Sequence, residues 1–405
     1  MQRNFVSALA FLAMVWSCVP ASAEQVQRMK LLTAQTGWVQ VGQRLDWTTD
    51  GGAHWTDITP LTPAKESISS VFFLDISTGW VLLLSADKED RAVFDLASTT
   101  NSGADWSVTR LRLPPNLDPT QLSGEAWMDF VDPVHGWMDL AINSSANFRL
   151  GALLATTDGG RTWSRTPREP TPSGPGIAGR VHFIDTKTGW LAGGPGDEYL
   201  FATRDGSRSW QELSLRPPAS VGASAGPNYD TPVFDDSMNG FLPVTYSATE
   251  HSAPALVLFI SHDRGLTWAA SAVQPLEHGY GGLPAPSALA GSGLFVGDLG
   301  RGTLTIAHLR SAGKAESASA SVAEHESGIA DLSFVSERQG WLRFNSGRLL
   351  STTDGGATWA DITPHPVPHA ATRPAVSESG ASTESAVAAV TSPVATSRPL
   401  PTFPA

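Results

Sequence analysis

The side chains that could do chemistry recur in one pattern. Residues 48–55 read TTDGGAHW and residues 352–359 read TTDGGATW. Between them lie TTNSGADW (99–106), TTDGGRTW (156–163), TRDGSRSW (203–210) and SHDRGLTW (261–268). A carboxylate beside hydroxyls is the raw material of a general acid or of an oxygen-rich cation site. Repetition argues against the first, because a reaction needs its acid once or twice and the chain carries six copies. The spacing argues against the second, because no copy has the ligand order of a calcium loop. A third use fits every copy. The carboxylate can accept N–H groups of its own tight turn, glycine permits positive φ, and tryptophan buries a large surface. Asp50, Asp158, Asp205, Asp263 and Asp354 therefore read as turn residues. Asn101, in the same place, serves a turn but not an acid. No residue is assigned as catalytic, and neither a metal nor a cofactor is implied.

A second signal precedes each copy. Gly-Trp occurs at residues 37–38, 79–80, 136–137, 189–190 and 340–341, with Gly240-Phe241 as a variant. Gly293 sits in the double-length gap that follows and reads as a worn copy without the later motif. This gives seven units spaced 42 to 57 residues apart. Of fourteen tryptophans, six belong to the first motif and five to Gly-Trp, so the repeat accounts for nearly all of them. Each unit holds four short apolar stretches bounded by Gly, Asp and Asn, which predicts a four-stranded antiparallel sheet. Asp75, Asp132, Asp185 and Asp236 recur before Gly-Trp as turn residues. Seven such sheets predict an all-β, seven-bladed β-propeller over residues 24–364, with one blade degenerate.

These motifs resemble the Asp-box, or bacterial neuraminidase repeat, of sialidases, other glycoside hydrolases, sortilin-type receptors and the photosystem II stability/assembly factor family. The paired pattern, Phe-x-Asp-x-x-x-Gly-Trp followed by Thr-Thr-Asp-Gly-Gly-x-Thr-Trp, is most similar to the last family and its non-photosynthetic bacterial relatives. The resemblance covers residues 29–363. It implies a propeller that holds a partner protein during maturation. Arg28, Lys30 and Arg180 would be the counterparts of that family's basic recognition patch.

The flanks read differently. Arg3, the apolar run 5–15 and Ala21-Ser22-Ala23 predict an export signal over residues 1–23. A short membrane anchor and a lipoprotein built on Cys18 are the competing readings. Removal of the signal would take the only cysteine with it, leaving a periplasmic or extracellular chain stabilised by packing alone. Residues 365–405 are rich in Ala, Ser, Pro and Thr and read as disordered. A net charge of −12 without a dense basic run argues against nucleic acid. No later segment is long and apolar enough to span a bilayer, and a monomer is expected.

If the repeats are structural, function lies in what is not repeated. The two motif turns share one end of the propeller. Long connections, 85–95, 111–125, 167–179, 215–230, 246–255 and 273–287, gather at the other. On the first strand of each unit, alternate positions are apolar (Leu31, Phe73, Phe130, Phe183, Phe234, Phe334). The intervening positions turn polar: Lys30, Asp129, His182 and Ser333, and two residues earlier Arg28, Trp127, Arg180 and Asp331. Period two puts these on the opposite side of the strand, toward the channel mouth. Arg28, Lys30, Trp127, Asp129, Arg180, His182 and Asp331 are the candidate binding residues. They suit a protein or peptide partner in the envelope, with a glycan as the second class of ligand. Ion pairing between neighbouring blades is the structural alternative.

An enzyme is the rival reading. Sialidase-type catalysis lacks its Arg-Ile-Pro motif here, and all four tyrosines are placed in loops or hairpins. A glycoside hydrolase needs two carboxylates about 5–10 Å apart, for which Asp129 and Asp331 are the candidates by position. No nucleophile elbow, phosphate-binding loop or HExxH is present.

Overall fold

The computed structural model describes residues 25–364 except 63–65, 90, 145–148, 173–175, 222–225, 236, 248–253, 276–286, 290–292, 301, 311–314 and 323–325. The export signal, the tail and Asp236 lie outside these residues. The chain forms seven antiparallel sheets: residues 26–57, 67–110, 122–165, 179–212, 227–275, 287–321 and 329–361. These are blades 1 to 7 of an all-β propeller. Each blade is laid down in sequence order from its innermost strand outward. The innermost strand of blade 5 is split into Pro227–Tyr229 and Val233–Phe234, both paired with Gly240–Tyr246.

One expectation is filled in and one needs correction. The unit around Gly293, worn in sequence, keeps all four strands, as the seven-bladed expectation requires. Its outer hairpin pairs over seven residues, and blade 5 also has a seven-residue outer strand, whereas the outer strands of blades 1, 3, 4 and 7 have only two. Residues 85–95 are not a long insertion, because Gly79–Ala86 and Ala92–Thr99 pair as far as Ala86 and Ala92.

The Phe-x-Asp-x-x-x-Gly-Trp pattern has a steric cause. Phe183 pairs across the strands with Gly189, and its ring lies flat on that glycine. A Cβ on Gly189 would stand 2.4 Å from the ring, and on Gly136 2.4 Å from Phe130. The other face of Phe183 is stacked by Trp137 of the preceding blade, centroids 3.5 Å apart and planes 4° apart. Trp80 covers Phe130 at 3.7 Å and 3°. The Asp-turn tryptophan of the same blade closes each site edge-on, Trp163 against Phe130 and Trp210 against Phe183. One aromatic ring thus joins two blades and the two motifs of its own blade, in the geometries aromatic pairs prefer.

The Asp turns are hydrogen-bonded frames. Asp158 Oδ1 accepts from Thr162 N and Thr156 Oγ1 (both 2.9 Å), and Oδ2 from Thr162 Oγ1 at 2.6 Å. Asp205, Asp263 and Asp354 repeat this with Ser209, Thr267 and Thr358. Asp50 uses His54 N and Nδ1 instead. Asn101 accepts from Asp105 N and donates to its carboxylate. These bonds to the charged form hold Asp50 and Asp354 at a pKa of about 2. The turn before Gly-Trp is framed by Asp75, Asp132 and Asp185, by the hydroxyls of Thr33 and Ser336, and in blade 5 by Asp235. Asp235 stands one residue before the expected Asp236 and accepts from Ser237 and Asn239.

Polar side chains clasp the backbone of the next blade. Asp129 accepts from Phe183 N at 2.6 Å, Asp139 from Gly179 N at 2.8 Å, and Ser333 from Leu31 N at 3.3 Å. The ring closes the same way. Blades 1 and 7 share no strand. Instead Trp341 packs with Met29, Leu31 and Val39, Trp55 Nε1 donates to Ile362 O at 3.1 Å, and Arg343 donates to Val26 O at 3.2 Å.

Two predictions follow from this packing. Gly189→Ala forces a methyl into Phe183 and lowers unfolding free energy by about 1–3 kcal/mol. Gly226→Ala, with no described heavy atom within 4 Å of the new carbon, leaves it unchanged. Denaturant melts check both, and equal stability of the two variants contradicts the steric account. The second concerns Asp139, which is wholly buried, its Oδ1 lacking a hydrogen-bond partner among the described residues. Burial, reinforced by Glu169 and opposed by the Gly179 N–H and Arg149, pushes its pKa up to about 8. Between the ordinary carboxylate range and about 8, the folded chain therefore holds a proton the unfolded chain has lost, so this group's contribution falls as pH rises. From pH 5 to pH 8, wild type should lose more stability than Asp139→Asn. Equal losses would show that Asp139 is ionised throughout.

Candidate functional site

The inner strands of blades 1 to 4, with Thr231 of blade 5, surround a cavity of about 430 Å³. Arg28, Trp127, Asp129, Arg180 and His182 line it. Lys30 and Asp331 do not, although both act electrostatically on groups at this end of the channel.

Most of the charges here are already matched. Asp129 is buried, bonded to Phe183 N, with His182 Nδ1 3.5 Å from its other oxygen. Burial opposes a charged His182, but Asp129 outweighs it and raises the histidine pKa. Asp331 pairs with Arg343 of its own blade at 2.7 and 2.6 Å. Burial nonetheless raises the Asp331 pKa, against the pull of Arg343, Arg180 and Arg28. Arg180 lies 3.7 Å from Asp230. Trp127 lies under the guanidinium of Arg149, 5.4 Å from ring centre to Cζ, and Arg149 also pairs with Asp197 at 3.0 Å.

Two cations differ. Arg28 donates to the carbonyl of Ser69 at 2.5 Å, and Lys30 makes no hydrogen bond to any described residue. Neither has a carboxylate within ion-pairing distance among the described residues. Both pKa values are lowered, chiefly by desolvation. Lys30 has much accessible surface, yet protein surrounds it on all sides. These facts agree for a side chain standing in a narrow channel, where water reaches it but solvates it poorly. The arrangement can receive a negatively charged group.

The sequence reading missed three participants. Arg343 was within reach, because pairing Phe334 with Gly340 places Asp331 opposite Arg343. Asp230 sits between the halves of the broken inner strand of blade 5, where no periodicity operates. Glu125 stands on an inner strand, beyond the aligned columns. Three tyrosines assigned to loops or hairpins, Tyr199, Tyr229 and Tyr246, lie in strands; Tyr229 Oη accepts from Leu215 N at 3.2 Å, and Tyr246 Oη donates to Leu215 O at 3.1 Å.

No protein-family model matches the chain, and no curated protein matches it. Solved structures do share its fold. YCF48 from Cyanidioschyzon merolae aligns with a TM-score of 0.52 at 16% identity, covering 82% of this chain and 97% of that one. A structure described as YCF48 bound to D1 peptide aligns with a TM-score of 0.51 at 17% identity, covering 82% and 94%. An ancestral GH74 enzyme aligns with a TM-score of 0.50 at 10% identity, covering 85% of this chain and 47% of that enzyme. At these identities the likeness establishes a seven-bladed β-propeller fold held in common with a peptide-bound protein and with an enzyme.

Proposed function

We propose that the protein is an exported, non-catalytic binding propeller that holds a peptide segment of a partner protein at the channel mouth, through an acidic group of that peptide. The observation that carries this reading is the pair Arg28 and Lys30, two cations without a carboxylate partner among the described residues, in a channel whose other described charges are matched. On a chain of net charge −12 they make a local site of opposite sign. Low-dielectric walls strengthen their attraction for an anion relative to bulk water. The Trp127 ring and the cavity's inner-strand walls supply apolar contact beside the charges. The likeness to a propeller bound to a peptide supports the same use of the fold.

The enzyme reading is less well supported by the same geometry. Asp129 spends one oxygen on Phe183 N, and Asp331 is held by Arg343. A carboxylate pair acting on a glycosidic bond needs both groups turned to the substrate.

The test is capture from an envelope extract by the full chain, followed by titration of the captured peptide. Arg28→Glu with Lys30→Glu should abolish capture, and Lys30→Ala alone should weaken binding by about 1.5–3 kcal/mol, the range for a hydrogen bond to a charged group. Binding should also weaken with salt, less steeply than for an exposed pair. Capture that survives the double reversal excludes the channel mouth as the site. Glycan cleavage that disappears in Asp331→Asn establishes the enzyme instead.

A further inference from the structure

A larger cavity, about 550 Å³, lies away from the channel, in the seam between blades 2 and 3 at the end carrying the Asp turns. The corresponding seam between blades 7 and 1 holds about 140 Å³. In every blade but the sixth, one third-strand residue pairs with the aromatic residue that follows the motif glycine. In blade 1 it is Trp47, which leans on Phe73 of the next blade at 4.8 Å and fills the seam. In blade 5 it is Ile260. In blade 2 it is Ser98, which lines the larger cavity, and in blade 7 it is Ser351, which lines the smaller one. The outer strand of blade 2, Ser107–Arg110, is also twice as long as the two-residue outer strands, and its Ser107 and Thr109 extend the wall opposite Ser98 and Leu96.

The same blade carries the one substituted Asp turn. Relative to Asp158 and Thr162 across the cleft, Asn101 and Asp105 exchange chemistry. The amide takes the turn position, and the carboxylate moves to the exposed rim. Arg161 of blade 3 faces them and donates to Asp158 O at 2.9 Å. Val134, 42% exposed, and the neighbouring exposed Pro133 give the cleft an apolar strip.

We propose that this cleft binds a neutral oligosaccharide. Serine and threonine hydroxyls, a carboxamide, a carboxylate and a guanidinium offer donors and acceptors close together, as a ring of vicinal hydroxyls requires. The apolar strip suits the C–H face of a sugar, and a few convergent polar groups over such a surface are what orient a ligand. The cleft carries two carboxylates against one guanidinium that is already hydrogen-bonded, so a phosphate or sulfate is not matched. Its wall of hydroxyls is too polar for a lipid chain. The proposal does not depend on the channel-mouth reading.

The experiment is calorimetric titration of the full chain with cellotetraose, maltotetraose and chitotetraose. At least one should bind saturably. Ser98→Trp places in blade 2 the residue blade 1 already tolerates, and should weaken binding about ten-fold or more. Ser107→Trp, on an exposed outer strand, blocks the cleft without entering the packed seam and covers the case in which Ser98→Trp does not fold. Val273→Trp puts the same bulk on the outer strand of blade 5 and should leave binding intact. Failure of all three sugars to bind, or binding that survives both blocking variants, overturns the proposal.

Discussion

The structure depends on the two faces of one phenylalanine ring. Phe130 and Phe183 lie on a glycine of their own blade and beneath an indole of the blade before. The glycine is needed because a single methyl would occupy the ring's place. The indole is needed because the inner strands of adjacent blades share no hydrogen-bond ladder. A four-stranded sheet has two apolar faces and can bury neither alone. Each blade is therefore stabilised by its neighbours, and the last must meet the first. Blades 7 and 1 do so with Trp341, Trp55 and Ile362 rather than with a shared strand.

That dependence explains which features were legible in the sequence. Seven blades and their strand order could be read because the packing repeats, and each repeat leaves Gly-Trp and Asp-x-Gly behind. Blade 6 shows the limit. Its sequence has lost the Asp turn, yet Thr303–Leu309 and Ala315–Ser321 still pair over seven residues through backbone bonds that leave little trace in residue type. The turn of blade 5 is another case, since the residue pattern pointed to Asp236, which lies outside the described residues, while Asp235 is the carboxylate seen to accept from Ser237 and Asn239.

The candidate site was only half legible. Period two located Arg28, Trp127, Arg180 and His182 on the side of the strand that faces the channel. It could not tell a ligand contact from a blade-to-blade clasp, because both ask for a polar residue in the same column. Asp129 and Ser333 are clasps, each accepting a backbone N–H of the neighbouring blade. Asp331 is claimed by Arg343, a second-strand residue. What remains is defined by subtraction: Arg28 and Lys30 stand out because no carboxylate among the described residues pairs with them. Two charged residues left unpaired in a protein of opposite net charge are costly to keep desolvated, which gives them the character of a site.

The central claim is that the repeated motifs build the ring while the unrepeated channel mouth meets the partner. Hydrogen exchange on the full chain, with and without a captured acidic peptide, tests it most directly. The account predicts slowed exchange in residues 26–31, 127–129 and 180–182, and no change in the Asp turns at 48–55 and 352–359. Protection confined to those turns, with the inner strands unaltered, would contradict it.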